Sequence, residues 1–145
     1  MKKFSCILLL ILFTGCGGVR QQIDIASLEK WTGKWRGQGL RENRLDPLQT
    51  WTLDLSLKNG RLAGVMDDAL GEMRKQKLRD VRLVDQVLYF NLGFETSRGL
   101  QVEYQHEVRI SGDKMLSLFQ GQEGGKSFVG KWEAKRVYES GAATQ

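Results

Sequence analysis

The chain holds a single histidine, His106, and its setting decides what acid–base or metal chemistry is open to it. It lies in "LQVEYQHEVRI", where Leu100, Val102, Tyr104, His106, Val108 and Ile110 alternate with Gln101, Glu103, Gln105, Glu107 and Arg109. Period-two alternation puts His106 on the inward face of a strand, with Tyr104 on the same face. Catalysis or metal binding would need a reacting group or further ligands beside it. Tyr104 and, across the next hairpin, Ser117 are the candidates. Two readings stay open: a core histidine satisfied internally, or a polar anchor for the head group of a ligand.

Three other groups of residues could do chemistry. Asp67, Asp68 and Glu72 sit in "MDDALGE". Calcium needs six to eight oxygen ligands in a shaped loop, so three carboxylates point to a solvated loop instead. Arg74, Lys75, Lys77, Arg79 and Arg82 make the next stretch basic. If Val81 and Leu83 face inward, Lys75, Lys77 and Arg79 share their face. Unpaired charges cannot sit in a dry core. They would then ring a wet mouth suited to an anionic head group, or else guard an edge strand. Of the tryptophans, Trp35 and Trp132 read as floor and wall of a core, and Trp51 as ligand-facing. There is no G-x-S-x-G, no phosphate loop and no Cys/His cluster. The chain therefore reads as a non-enzyme with no metal and no cofactor. The ligand-lining candidates are Trp51, Phe90, Tyr104, His106, Lys77 and Arg79.

What must position them is a sheet. "TWTLDLSL" sets Trp51, Leu53, Leu55 and Leu57 against Thr50, Thr52, Asp54 and Ser56. Asn59-Gly60 follows, a strong hairpin signal because a type I′ turn needs positive φ at both central residues. A second hairpin is expected around Asp85-Gln86, with Val81, Leu83, Leu88, Phe90, Leu92 and Phe94 on one face. "SGDK" makes a further turn before "MLSLFQG", in which either Met115 and Phe119 or Leu116 and Leu118 face inward. Eight strands are predicted, at 34–42, 49–58, 61–68, 74–84, 87–95, 100–110, 114–121 and 127–137. All connections are short, and an antiparallel meander of this kind removes its edges by closing into a barrel. The expected fold is all-β, an eight-stranded antiparallel up-and-down barrel following a short helical turn in "DIASLEKW".

The chain start belongs to targeting. Lys2 and Lys3, the apolar run Ile7 to Phe13, and Thr14-Gly15 have the form of an export signal. "FTGC" resembles the bacterial lipobox, which implies that Cys16 is acylated and becomes the new N-terminus; Phe13 departs from the usual leucine. The implied organisation is a lipoprotein signal peptide over 1–15, a lipidated tether over 16–23, a barrel domain over 24–138 and a tail over 139–145. With Cys6 removed and Cys16 lipidated, no cysteine is left for a disulfide. Removing Lys2 and Lys3 from the formal charge of +5 leaves +3, too mild for a nucleic-acid binder.

The tripeptide GKW occurs twice, as Gly33-Lys34-Trp35 and Gly130-Lys131-Trp132. The first, entering a strand after a helical turn, resembles the G-x-W signature of the calycins: lipocalins, fatty-acid-binding proteins and avidins. In that group the tryptophan packs beside an arginine of the last strand, which hydrogen-bonds back to the N-terminal segment. The resemblance implies that Gly33, Trp35, Trp132 and Arg136 close the barrel. Biotin binding does not carry over, because Gly37 replaces the polar residue that avidins place two after the tryptophan. The expected function is a cell-envelope lipoprotein, anchored in the outer membrane facing the periplasm, that binds a small hydrophobic or amphipathic ligand. The alternative is an envelope interaction protein with a filled barrel, similar to lysozyme-inhibitor lipoproteins or a scaffold.

Overall fold

The computed structural model describes residues 25–41 and 49–138. The expected signal peptide, the expected lipidation site Cys16 with its tether, and the expected tail lie outside the described residues. A one-and-a-half-turn helix, α1 (Ile25–Glu29), precedes β1 (Gly33–Arg41), β2 (Gln49–Lys58), β3 (Arg61–Asp68), β4 (Gln76–Lys77), β5 (Arg79–Val84), β6 (Val87–Glu95), β7 (Gln101–Ser111), β8 (Lys114–Glu123) and β9 (Lys126–Val137). All nine strands form one antiparallel sheet in the order β4-β3-β2-β1-β9-β8-β7-β6-β5. The first and last strands of that order are neighbours in the chain, so the sheet returns on itself as a nearly closed barrel. β1 and β9, which carry the two GKW stretches, lie side by side with Trp35 opposite Arg136 and Gly39 opposite Trp132.

The turns follow from backbone chemistry. Asn59 and Gly60 have φ of 52° and 72°, the double positive φ of a type I′ hairpin. Asp85 and Gln86 take the same form at 49° and 64°. Each two-residue turn fixes the register, and the register fixes which side chains enter the core. On β8 that settles the open choice: Met115, Ser117 and Phe119 point inward, and Leu116 and Leu118 point out.

The predicted fourth strand is two strands, and the break inverts its basic face. Gln76 pairs with the inward Met66, and Lys77 with Val65 on the outer side. Leu78 packs on the core and its amide donates to the Gly64 carbonyl at 3.0 Å. The ladder is then irregular between Arg79 and Arg82, with Asp80 at φ 52°. One extra residue there restores Val81 and Leu83 to the inside. Lys75, Lys77 and Arg79 consequently stand on the outside, opposite to the arrangement that uninterrupted alternation from Val81 and Leu83 predicts. β4 and β5 flank the seam where the barrel is least hydrogen-bonded, since β4 adds only two residues to the β3 ladder.

Candidate functional site

The barrel interior divides into a sealed floor and a half that holds buried polar groups. The floor forms where α1 turns into β1. Trp31 and Trp35 are fully buried, and the Trp35 Nε1–H donates to the Trp31 carbonyl at 3.0 Å. Arg136, on β9, lays its guanidinium over the Trp35 ring at 4.2 Å from the centroid. Its Nη1 and Nη2 donate to the carbonyls of Thr32 and Lys30. A delocalised, weakly hydrated cation suits both jobs, since it can stack and donate in a fork at once. Gly33 has φ 110°, and a Cβ there would come 3.0 Å from Arg136 Nη1. Glycine is needed at that position both for the backbone and for the arginine. The Nε1–H of Trp31 has no partner among the described residues, and nothing in the structure explains it.

Above the floor, β1 presents Gly37 and Gly39 to the interior. Trp51, opposite Gly37 on β2, fills the space they leave. A Cβ at Gly37 would run into the Trp51 ring and come 2.7 Å from the Glu133 carbonyl. Trp51 meets Trp132 edge to face, with centroids 4.4 Å apart. The Gly37 position is thus covered by an indole.

Trp132 links this aromatic layer to His106. Its Nε1–H donates to His106 Nδ1 at 3.1 Å. A neutral imidazole that accepts at Nδ1 carries its proton on Nε2. That Nε2–H is buried and has no partner among the described residues. The ring stacks on Phe90 (centroids 4.5 Å, 22°) and lies 5.5 Å from Phe119, its cross-strand neighbour. Tyr104 stands edge-on at 6.3 Å. Burial in this apolar setting drives the imidazole pKa down to about 3. The group is therefore neutral across the physiological range: it can donate one hydrogen bond but offers no charge to an anion. Ser117 is one row away, opposite Val108, and its hydroxyl donates to the Leu118 carbonyl at 3.0 Å. No nucleophile is brought to His106 by these contacts.

One further polar group is buried beyond His106. Glu123, near the end of β8, lies 3.5 Å from the Tyr104 hydroxyl. Gly121, facing Tyr104, makes room for that ring: a Cβ there would collide with the Glu103 backbone and approach Tyr104 Cδ1 to 2.7 Å. The strand expected over 114–121 stops two residues short of Glu123. The signal was Gly124-Gly125, a two-residue turn that carries the pairing out to Glu123 opposite Lys126. Phe119 was half-legible, since its face depended on the undecided parity of β8.

The remaining sequence candidates lie elsewhere. Arg79 forms an ion pair with Glu103 across the outer surface, passing over Gly93, which has no side chain to obstruct it. Lys77 is exposed. The loop carboxylates tie backbone together: Asp67 accepts from the Lys75 amide at 2.7 Å and Asp68 from the Met73 amide at 3.1 Å. Glu72 accepts from the amide and hydroxyl of Ser97, both at 2.7 Å, and these bonds hold its pKa below the ordinary carboxylate value. The residues described include no cluster of three or more His, Cys, Asp or Glu able to hold a metal.

No protein-family model matches the chain, and no curated protein matches it. Among solved structures, the chain is similar to a protein of unknown function of the DUF3598 family from Nostoc punctiforme, at 13% identity and a TM-score of 0.48. The match covers 76% of this chain and 48% of that one, so the chain spans about half the length of that protein.

Proposed function

We propose that the protein is a calycin-like binding lipoprotein of the cell envelope, acylated at Cys16, which holds a small amphipathic ligand against His106. The observation that carries this reading is the buried Nε2–H of His106, which sits among aromatic rings with no partner among the described residues. An unsatisfied buried donor costs about 1–3 kcal/mol, and a ligand oxygen recovers that energy. Phe90, Phe119 and Tyr104 supply the apolar contact around it, with Trp51 and Trp132 as a base.

The chemistry favours a neutral head group. His106 carries no charge at physiological pH, Glu123 adds a carboxyl group nearby, and Lys77 and Arg79 face away from the interior. An ester, alcohol or ketone oxygen fits this set better than a carboxylate does. The test is titration of the detergent-solubilised protein with monolaurin and with lauric acid, followed by tryptophan fluorescence. Monolaurin should bind more tightly, and His106→Phe should weaken it by about tenfold, the loss of one hydrogen bond. If neither lipid changes the fluorescence and native mass spectrometry finds nothing co-purified, the reading fails.

A further inference from the structure

The outer surface of the barrel is polar along most strands, but β8 turns Leu116 and Leu118 to solvent at 52% and 64% exposure. Single exposed leucines are ordinary; two in adjacent positions of one strand form a patch. The register surrounds them with charge. Glu107, Leu118 and Lys131 form one row across β7, β8 and β9, and Arg109, Leu116 and Glu133 form the next. The four long charged side chains flank the leucines on both sides and, with them, line a depression of about 560 Å³. An apolar centre with a polar rim is the anatomy of a protein interface.

We propose that this face is a homodimer interface, occupied by the same face of a second copy. The charges alternate like a checkerboard: Glu107 and Arg109 along β7 are unlike, as are Lys131 and Glu133 along β9, and each row joins unlike ends. A two-fold axis in the interface running along β8 sets Glu107 over the second copy's Lys131, and Arg109 over the second copy's Glu133. A two-fold axis running across β8 sets Glu107 over the second copy's Arg109, and Lys131 over the second copy's Glu133. Either way every acid meets a base, and leucine meets leucine. The four charges sum to zero, so the face has no net field to draw an acidic or basic partner. Its pattern is complementary to itself. Most strand backbone is already paired within the barrel, so association has to use side chains and not edge pairing. The patch is three strands wide, at the small end for an interface, and the dimer is accordingly concentration-dependent.

The experiment is sedimentation equilibrium of the full chain in mild detergent, with thermal unfolding as a control that the surface variants fold. The wild type should pass from monomer to dimer with rising concentration. Leu118→Lys should weaken the dimer at least about tenfold, the size of a central-contact loss. Glu107→Lys with Glu133→Lys, which makes the whole rim positive, should abolish it. The fourfold variant Glu107→Lys, Arg109→Glu, Lys131→Glu, Glu133→Lys inverts the checkerboard and should restore it. A monomer at all concentrations overturns the proposal. So does a dimer indifferent to these changes, or a fourfold variant that stays monomeric while the wild type dimerises.

Discussion

Trp35 and Trp132 both donate an indole N–H inside the barrel, and the groups they meet differ in kind. Trp35 bonds to a backbone carbonyl, beneath a guanidinium that is itself committed to two more carbonyls and to Asp113 on the neighbouring turn. These bonds tie the N-terminal segment to the last strand, and the Trp35 indole has no donor left over for a ligand. Trp132 bonds to His106, whose other nitrogen is left with a proton and no acceptor among the described residues. The same side chain closes the fold in one place and holds a donor in a fixed tautomer in the other. Buried polarity that is fully paired is structural; buried polarity with one unpaired member is where a ligand gains most.

That contrast can be broken from either side. The largest effect belongs to the floor: Trp35→Ala should lower stability by about 3–5 kcal/mol, and Arg136→Lys should recover little of an Arg136→Ala loss, because ammonium cannot both stack and fork. Urea unfolding followed by circular dichroism measures both. Next is the pH response of His106. Its folded pKa of about 3 lies below the ordinary 6.5, so the unfolded chain takes up the proton first as pH falls. The stability conferred by the neutral ring is whole above pH 6.5 and is lost between 6.5 and 3, at about 1.4 kcal/mol per pH unit. His106→Gln should flatten the curve by that slope, and an unchanged slope would count against a buried neutral imidazole. Gly37→Ala should cost about 1–3 kcal/mol by overpacking, with only part of it relieved in the Trp51→Ala background, because the Cβ also meets the Glu133 carbonyl at 2.7 Å. The smallest effects belong to the outer charges: Arg79→Ala and Lys77→Ala should change stability by less than about 0.5 kcal/mol and leave lipid titrations unaltered.

Much of this architecture can be read in the chain, and what cannot has identifiable causes. Alternation in 49–58 and 100–110 is uninterrupted, so the inward positions of Trp51 and His106 follow from local pattern alone. Asn59-Gly60 is a turn whose backbone demand is visible in the residues, whereas Asp85-Gln86 is legible from the alternation on either side of it. The basic stretch misleads because its parity depends on one extra residue at Asp80, and aspartate at positive φ leaves little trace in a sequence. In β8 both faces are apolar, so hydrophobicity could not choose between them; the tight turn and the packing of Met115 and Phe119 do. The outer leucines that blurred the pattern are the same residues now assigned to an interface.

His106 holds an Nε2–H that no described residue accepts, and the proposed ligand oxygen is its partner. With a single histidine in the chain, imidazole nitrogen-15 NMR reports on it without ambiguity. The expected result is a neutral Nε2–H tautomer that persists well below pH 6.5, and an Nε2 resonance that shifts saturably with monolaurin. A ring that titrates near 6.5, or an Nε2 signal unmoved by saturating monolaurin, would contradict it.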